Sequence, residues 1–299
     1  MISVIVSPAS GSGRASAAIP RVRRELQRRG ILHTIHETES LGHARELAEN
    51  AQSTGRTAAA LGGDGLVGAV ATALRGSDGV LGVLPAGRGN DFARFLGIPL
   101  DPVAACEVLD TGTVARLDLG CVGDKIFVGV ASCGLDSDAN RIANQTHLIR
   151  GSLVYAYGGL RALMTWKAAN FRLRLDGEPL TIHGFTVAVA NSSTYGGGMR
   201  VAPDASVTDG LFDVVLISEC SRLRFLRHMP KVLSGAHTSL PFVLIVRARD
   251  VEVDADRPFT LYADGDPIAE LPVKLMVEPG AVSVRVPAGS PALASDTRP

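Results

Sequence analysis

The feature that most constrains the chain is Leu61-Gly62-Gly63-Asp64-Gly65-Leu66. The run Arg56-Thr57-Ala58-Ala59-Ala60 ahead of it predicts a buried strand. Val67-Gly68-Ala69-Val70-Ala71-Thr72-Ala73-Leu74 behind it, free of proline, predicts a helix. Three glycines in four positions let the backbone turn tightly and approach a ligand closely. Such a turn delivers N–H groups at a helix N-terminus, which suits an anion. Asp64 inside the loop would repel a bare phosphate, so a magnesium ion or a hydroxyl has to come between them. The same residues also satisfy a plainer requirement, a strand-to-helix turn that needs glycine for its geometry alone.

Two further loops repeat the arrangement. Residues 2–6 predict a strand, Ser7-Pro8-Ala9-Ser10-Gly11-Ser12-Gly13-Arg14 a small-residue loop, and residues 17–29 a helix. Residues 31–35 predict a second strand. Thr38 precedes a helix over 42–51 and either caps it or contacts a ligand. Residues 80–84 predict a fourth strand, followed by Pro85-Ala86-Gly87-Arg88-Gly89-Asn90-Asp91-Phe92-Ala93-Arg94. Three strand–loop–helix units put glycine-rich loops at strand C-terminal ends. In an open parallel sheet those ends share one rim, where ligands bind.

Composition narrows the class. The chain has 299 residues, 46% hydrophobic and 20% charged, which supports one large or two ordinary folded domains. Zero formal net charge argues against a dedicated nucleic-acid binder. The only lysines are Lys125, Lys167, Lys231 and Lys274, so no P-loop lysine is available in the first hundred residues. Cys106, Cys121, Cys133 and Cys220 are widely spaced, which reads as single thiols in a reducing compartment. The first residues lack a basic n-region, and no apolar run approaches the roughly 18 residues of a membrane span. The expectation is a cytoplasmic protein whose membrane contact is peripheral.

After Asp118 the pattern turns to β-branched runs at 125–131, 171–175, 181–190, 211–217, 242–248, 251–253, 260–262, 273–278 and 282–286. Asp176-Gly177 and Pro279-Gly280 are among the turns between them. Many strands with short turns predict a β-sandwich. Helical segments interrupt it at about 138–168 and 221–235, and the tail from 289 is polar and reads as disordered.

The set Ser7-Pro8-x-Ser10-Gly11-x-Gly13, Gly62-Gly63-Asp64-Gly65, Gly87-x-x-Asn90-Asp91-Phe92-Ala93-Arg94 and Asp118 resembles the catalytic domain of diacylglycerol kinases. It looks most like the soluble bacterial members, relatives of sphingosine and ceramide kinases. Gly196-Gly197-Gly198-Met199, Pro203-x-Ala205, Asp209-Gly210-Leu211-Phe212-Asp213 and Tyr262-x-Asp264-Gly265-Asp266 resemble that family's second-domain motifs, in collinear order over residues 1–288. The resemblance implies a phosphofructokinase-like α/β nucleotide-binding domain over 1–120 and a β-sandwich over 121–288, with ATP in the cleft between them and a tail over 289–299. In such folds the last strand can return to the first domain.

The resemblance also implies roles. Ser7, Pro8, Ala9, Ser10 and Gly11, together with Thr38, Gly62, Gly63, Asp64, Gly65, Leu66, Val67, Gly68, Ala69 and Arg88, would line ATP. Asp64, Asp91 and Asp118 would organise Mg²⁺, which prefers oxygen ligands and retains waters. Asp266 would take the proton of the lipid hydroxyl. Asp209, with the carbonyls of Ser206 and Leu211, would hold a structural Mg²⁺. Four positions depart from the family pattern: Arg88 and Leu66 stand where threonine is usual, Ser7 where asparagine is, and Asp266 where glutamate is. Plainer readings stand beside these: a turn residue for Asp118, a helix cap for Asp91, a hairpin turn for Asp264-Gly265-Asp266, and an Asp-Gly turn for Asp209.

Residues 221–235 carry Arg222, Arg224, Arg227, His228 and Lys231 among Leu223, Phe225, Leu226, Met229 and Val232. They read either as a surface helix with a solvated face, interrupted by Pro230, or as a basic amphipathic helix on an anionic bilayer. Leu148, Leu153, Tyr157, Leu160, Leu163, Met164 and Trp166 read as core or as a wall for acyl chains. The expectation is an ATP- and Mg²⁺-dependent lipid kinase at the inner face of the membrane, turning diacylglycerol into phosphatidic acid. A sphingoid base, ceramide or phosphatidylglycerol is an alternative acceptor, and a non-catalytic nucleotide- or lipid-binding homologue is an alternative class. The family makes a homodimer plausible, and no nucleic-acid partner is expected.

Overall fold

The computed structural model describes residues 1–135, 137, 138, 142, 161, 164 and 166–294. Most of segment 138–168, including Leu148, Leu153, Tyr157, Leu160 and Leu163, lies outside them, as do residues 295–299. The chain forms two compact units. The first comprises Met1–Leu119, Val207–Asp209 and the chain from Glu278 onward; the second comprises Gly120–Ser206 and Gly210–Val277.

The first unit alternates strands and helices: β1 (Ile2–Val6), α1 (Arg14–Arg28), β2 (His33–Glu37), α2 (Leu41–Ser53), β3 (Thr57–Gly62), α3 (Asp64–Leu74), β4 (Val80–Pro85), α4 (Asp91–Phe95), α5 (Pro102–Thr111) and β5 (Thr113–Val122). α1 buries Ala15, Ala18, Val22 and Leu26, an apolar stripe at helical spacing that needs a sheet to cover it. Strands β1 to β4 pair in parallel, in the order β2-β1-β3-β4. The register sets Val6 beside Leu61 and Gly62 beside Pro85, so the loops after β1, β3 and β4 leave from one rim. Ser40, not Thr38, caps α2, accepting from His43 N at 3.1 Å. Thr38 instead closes the β2 end, its N–H donating to the Val6 carbonyl at 2.7 Å.

The second unit is a β-sandwich of β6 (Lys125–Phe127), β7 (Val130–Gly134), β8 (Ala169–Leu175), β9 (Glu178–Ala190), β10 (Phe212–Ser218), β11 (Val243–Ala248), β12 (Asp250–Ala255), β13 (Thr260–Ala263), β14 (Asp266–Glu270) and the first part of β15 (Val273–Val286). Its pairings are antiparallel. β8 alternates strictly, with Ala169, Phe171, Leu173 and Leu175 turned into a core that also holds Phe127, Phe185, Phe212 and Leu261.

The interruption expected at Pro230 is present: residues 221–235 form two short helices, α6 (Arg222–His228) and α7 (Lys231–Ser234), because Pro230 has no N–H to continue the first. Three sequence expectations need correction. The run 125–131 is split, with Gly129 between β6 and β7. Pro279-Gly280 does not reverse the chain: β15 pairs with β12 over residues 273–276 and, in parallel, with β4 at Ser283 and Val284. The pair marks a change of partner, with Gly280 at φ 58°. Of the tail expected to be disordered, the described part is not: Pro291–Leu293 make a 3-10 turn with Ala292 buried, and residues 295–299 lie outside the described residues. None of the four cysteines is in a disulfide, and burial pushes the Cys106 thiol up to about 11.

Gly120 lies opposite Phe127 on the paired strands, and a Cβ at Gly120 would sit 2.1 Å from the ring. Phe127 cannot swing away, because it is buried and stacked on Phe212 at 5.7 Å. Gly120→Ala is expected to destabilise the protein by about 1–3 kcal/mol in urea unfolding, the usual range for overpacking.

Candidate functional site

The three rim loops are locked to one another through backbone. A Cβ on Gly87 would lie 2.3 Å from Gly63 Cα, and one on Gly11 2.1 Å from the Ala86 carbonyl oxygen. Only glycine permits that approach. Ala86 N donates to Gly62 O at 2.7 Å, and Ser7 N to Leu61 O at 3.3 Å. Arg14 completes the lock, donating through Nε to Gly11 O at 3.0 Å and through Nη2 to Gly87 O at 2.5 Å. Sequence reasoning assigned Arg14 no role, yet a signal existed. A cation on the first residue of a helix with no acid in its first turn opposes the helix dipole, so it needs another reason to be there.

The loop after β4 turns at Asn90, in the left-handed region at φ 53°. Its side chain closes the turn, accepting from Gly87 N at 2.8 Å and donating to Gly87 O at 3.2 Å. This sets Asp91 at the start of α4, as Asp64 stands at the start of α3. The two carboxylates meet beside Gly89, where a Cβ would lie 2.9 Å from Asp91 Oδ2 and 3.3 Å from Asp64 Oδ2. Asp64 Oδ1 accepts from Phe92 N at 3.2 Å. Burial pushes the Asp64 carboxyl above its usual range, while the N–H groups of Phe92, Asp91, Asn90 and Asp64 itself pull the other way and lose.

Asp118 is buried on β5. Its Oδ1 accepts from Gly280 N at 2.7 Å, and its own N–H donates to Val207 O at 2.7 Å. It therefore joins three distant chain segments. Asp64, Asp91 and Asp118 do not form one cluster: among the described residues, no group of three or more His, Cys, Asp or Glu could hold a metal ion. The Asp64–Asp91 pair still suits Mg²⁺, which takes few carboxylates and keeps waters and phosphate oxygens in its remaining positions.

The expected nucleotide residues divide by burial. Ser7, Pro8, Ser10, Gly11, Gly63 and Gly68 are half-buried, and Ala9, Gly65 and Arg88 are exposed. Arg88 reaches Ser12 Oγ at 3.4 Å. Thr38 and Gly62 are buried on the rim, whereas Leu66, Val67 and Ala69 turn their side chains into the core beneath α3. The N–H groups of Leu66 and Val67 are taken by Gly63 O, at 3.0 and 3.1 Å. On the loop before β10, Asp209, Ser206 and Leu211 each have interactions of their own.

In the second unit, Asp264 and Gly265 make the two-residue turn between β13 and β14, both at positive φ (52° and 95°), as a tight primed hairpin turn requires. The hairpin reading is therefore right for Asp264-Gly265. The Asp264 carboxylate is spent on backbone: Oδ2 accepts from Val128 N at 2.8 Å, and Oδ1 from Gly129 N at 2.9 Å and Val130 N at 3.2 Å. Asp266, the first residue of β14, remains solvent-exposed as a residue, yet protein packed about its carboxyl raises its pKa through desolvation. Thr260, Tyr262 and Glu270 of the same hairpin line a cavity of about 290 Å³ with Ser137, Asp138 and Arg257.

Residues 1–122 match the profile of the diacylglycerol kinase catalytic domain, and residues 129–286 that of the YegS C-terminal NAD kinase beta sandwich-like domain. A diacylglycerol kinase of Mycobacterium tuberculosis is 35% identical over 295 residues, 96% of this chain and 95% of the relative. The chain belongs to the diacylglycerol kinase family. A YegS-like lipid kinase of Pseudomonas aeruginosa is 33% identical over 261 residues, covering 86% of this chain and 85% of the relative. A crystal structure of a diacylglycerol kinase from Bacillus anthracis superposes with TM-score 0.76 at 19% identity, covering 96% of this chain and 97% of that one, which supports the fold alone. In this diacylglycerol kinase homologue the family motifs coincide with the locked loops and with the Asp264–Asp266 hairpin.

The lock can be tested by stability. Gly87→Ala drives a methyl into backbone that cannot move aside and is expected to cost about 1–3 kcal/mol in thermal unfolding. Gly68→Ala, in open space on α3, is expected to gain roughly 0.5–1 kcal/mol from helix propensity.

Proposed function

We propose that this family member transfers the terminal phosphoryl group of ATP, with Mg²⁺, to the hydroxyl of diacylglycerol, giving phosphatidic acid. The observation that carries the reading is the meeting of Asp64 and Asp91 beside Gly89, at the mouth of three interlocked glycine loops. Phosphoryl transfer asks the protein chiefly for positioned phosphates, charge compensation and a group to receive the acceptor proton. In this reading the loops after β1, β3 and β4 cradle the phosphates with backbone N–H groups, and Arg88 adds a cation at the exposed edge. Asp64 and Asp91 hold Mg²⁺, which neutralises phosphate charge when bound. Asp118 acts through the backbone it anchors, and Asp209 with the Ser206 and Leu211 carbonyls holds a structural Mg²⁺.

Asp266 receives the hydroxyl proton. Its raised pKa makes it a better base than an ordinary aspartate, which compensates in part for the glutamate usual at this position. Asp264 positions it, because three backbone N–H groups fix the turn immediately before it. The polar lining of the neighbouring cavity supports a hydroxyl-bearing headgroup. A second reading keeps the chemistry and changes the acceptor to another lipid alcohol; the relative described only as a YegS-like lipid kinase favours it.

The deciding experiment incubates the protein with labelled ATP, Mg²⁺ and a panel of lipids in mixed micelles. Transfer to diacylglycerol is expected, lost in Asp64→Ala and reduced about 10²–10⁴-fold in Asp266→Asn, the range for a general base. Transfer to no lipid overturns the reading, and near-normal turnover by Asp266→Asn removes that residue from the proton step. A pH dependence follows from Asp64. Its carboxyl is raised above 3.8 in the folded protein, so its stabilising contribution is complete below that value and is lost as pH rises through the folded value. Cation binding needs the charged form. Affinity for Mg²⁺ with ATP is therefore expected to rise as pH passes through the raised folded value of Asp64 and to level once Asp64 is ionised. Calorimetry in buffers of different ionisation enthalpy reads the released proton, and Asp64→Asn should abolish it.

A further inference from the structure

The stretch around α6 and α7 is unlike the rest of a neutral chain. From Cys220 to Arg249 there is no Asp or Glu, against six Arg or Lys residues, although the formal net charge of the chain is zero. The inner side of α6 is fixed. Phe225 packs against the core and meets Phe185 edge-on at 5.4 Å, and Arg222 donates to the Trp166 carbonyl at 2.9 Å. The outer side carries large apolar residues into water: Leu223 is 78% exposed, Leu233 62%, and Leu226 and Met229 39% each. Exposed Arg224, Arg227 and Lys231 stand among them. His228, in the same stretch, is held below its usual value first by desolvation and then by the charges of Lys231, Arg227 and Arg224. The acid just before the stretch, Glu219, lies 3.4 Å from His183.

The charge pattern selects the occupant. A second copy laid on this face about a twofold axis would set arginine and lysine against arginine and lysine. An anionic lipid surface answers both components, with headgroups for the cations and an acyl boundary for the leucines. We propose that the α6–α7 face docks the protein on an anionic bilayer, Leu223, Leu226, Met229 and Leu233 entering the interface and Arg224, Arg227 and Lys231 lying at the headgroups. The proposal rests on the reading of the acceptor as a lipid, and it names the surface by which the enzyme reaches that acceptor.

The test is co-sedimentation with extruded vesicles of phosphatidylcholine alone or with phosphatidylglycerol, without nucleotide or acceptor. Binding to the phosphatidylglycerol vesicles is expected, weakening as salt rises. The triple variant Arg224→Gln, Arg227→Gln, Lys231→Gln should bind about a hundredfold more weakly, at about fivefold per cation. Leu223→Ser with Leu233→Ser should lose about tenfold, with little salt dependence. Both variants should melt with the wild type, because the altered side chains lie outside the core. Vesicle binding unchanged in either variant, or wild type indifferent to phosphatidylglycerol, overturns the proposal. So does light scattering that shows a dimer dissociated by the leucine variant. An active lipid kinase that ignores vesicles overturns the docking surface alone; a vesicle-binding chain inert on every lipid overturns the proposed function alone.

Discussion

At Gly63 and Gly87 two stretches of backbone meet where side chains ordinarily stand between them, and the first unit is arranged around that contact. Parallel pairing brings Gly62 level with Pro85, so the following residues are driven together as the chain leaves the sheet. With Gly87 held there, its carbonyl accepts from Arg14 and its N–H donates to Asn90 Oδ1. Asn90 then adopts the left-handed turn that begins α4, and α4 in turn presents Phe92 N to Asp64. Each step presupposes the one before. A methyl group at the first contact would propagate through all of them, because close-packed interiors transmit strain rather than absorb it.

The same geometry concentrates unlike charges. Helix N-termini and turning backbone gather N–H groups at the rim, while Asp64 and Asp91 gather negative charge in their midst. Desolvation makes ionised Asp64 unfavourable by itself, so a positive charge placed beside it would stabilise the ionised form. The second unit divides its two acids differently. Asp264 accepts from the N–H groups of Val128, Gly129 and Val130, which holds the turn, while Asp266 just beyond it stands on the exposed side of β14.

What could be read from the sequence was local. Glycine loops at strand ends, the parallel sheet they imply, the strict alternation of Ala169, Phe171, Leu173 and Leu175, and the DG hairpin all depend on neighbours a few residues away. Features that depend on distant neighbours escaped. Arg14 finds Gly87, Asp264 finds Val128, and Asp118 finds Gly280, each across more than seventy residues. Pro279-Gly280 looked like a turn because composition reports a break in the ladder, not which partner comes next. The α6–α7 segment was legible as basic and apolar, and its interruption at Pro230 was legible too, because proline acts on the helix locally.

Asp118 and β15 also bear on how the molecule is made. The parallel sheet of the first unit is completed at β4 by Ser283 and Val284, near the end of the chain. Until those residues leave the ribosome, β4 carries an open edge, and Asp118 lacks the Gly280 N–H it is buried against. The first unit to be synthesised is therefore the last to be finished. A fragment ending near Leu119 would be a sheet with a missing border, prone to recruit strands from other chains. The first unit is in this sense not a module that can be cut out and moved; its integrity waits on Ser283 and Val284, on the far side of the second unit in the chain.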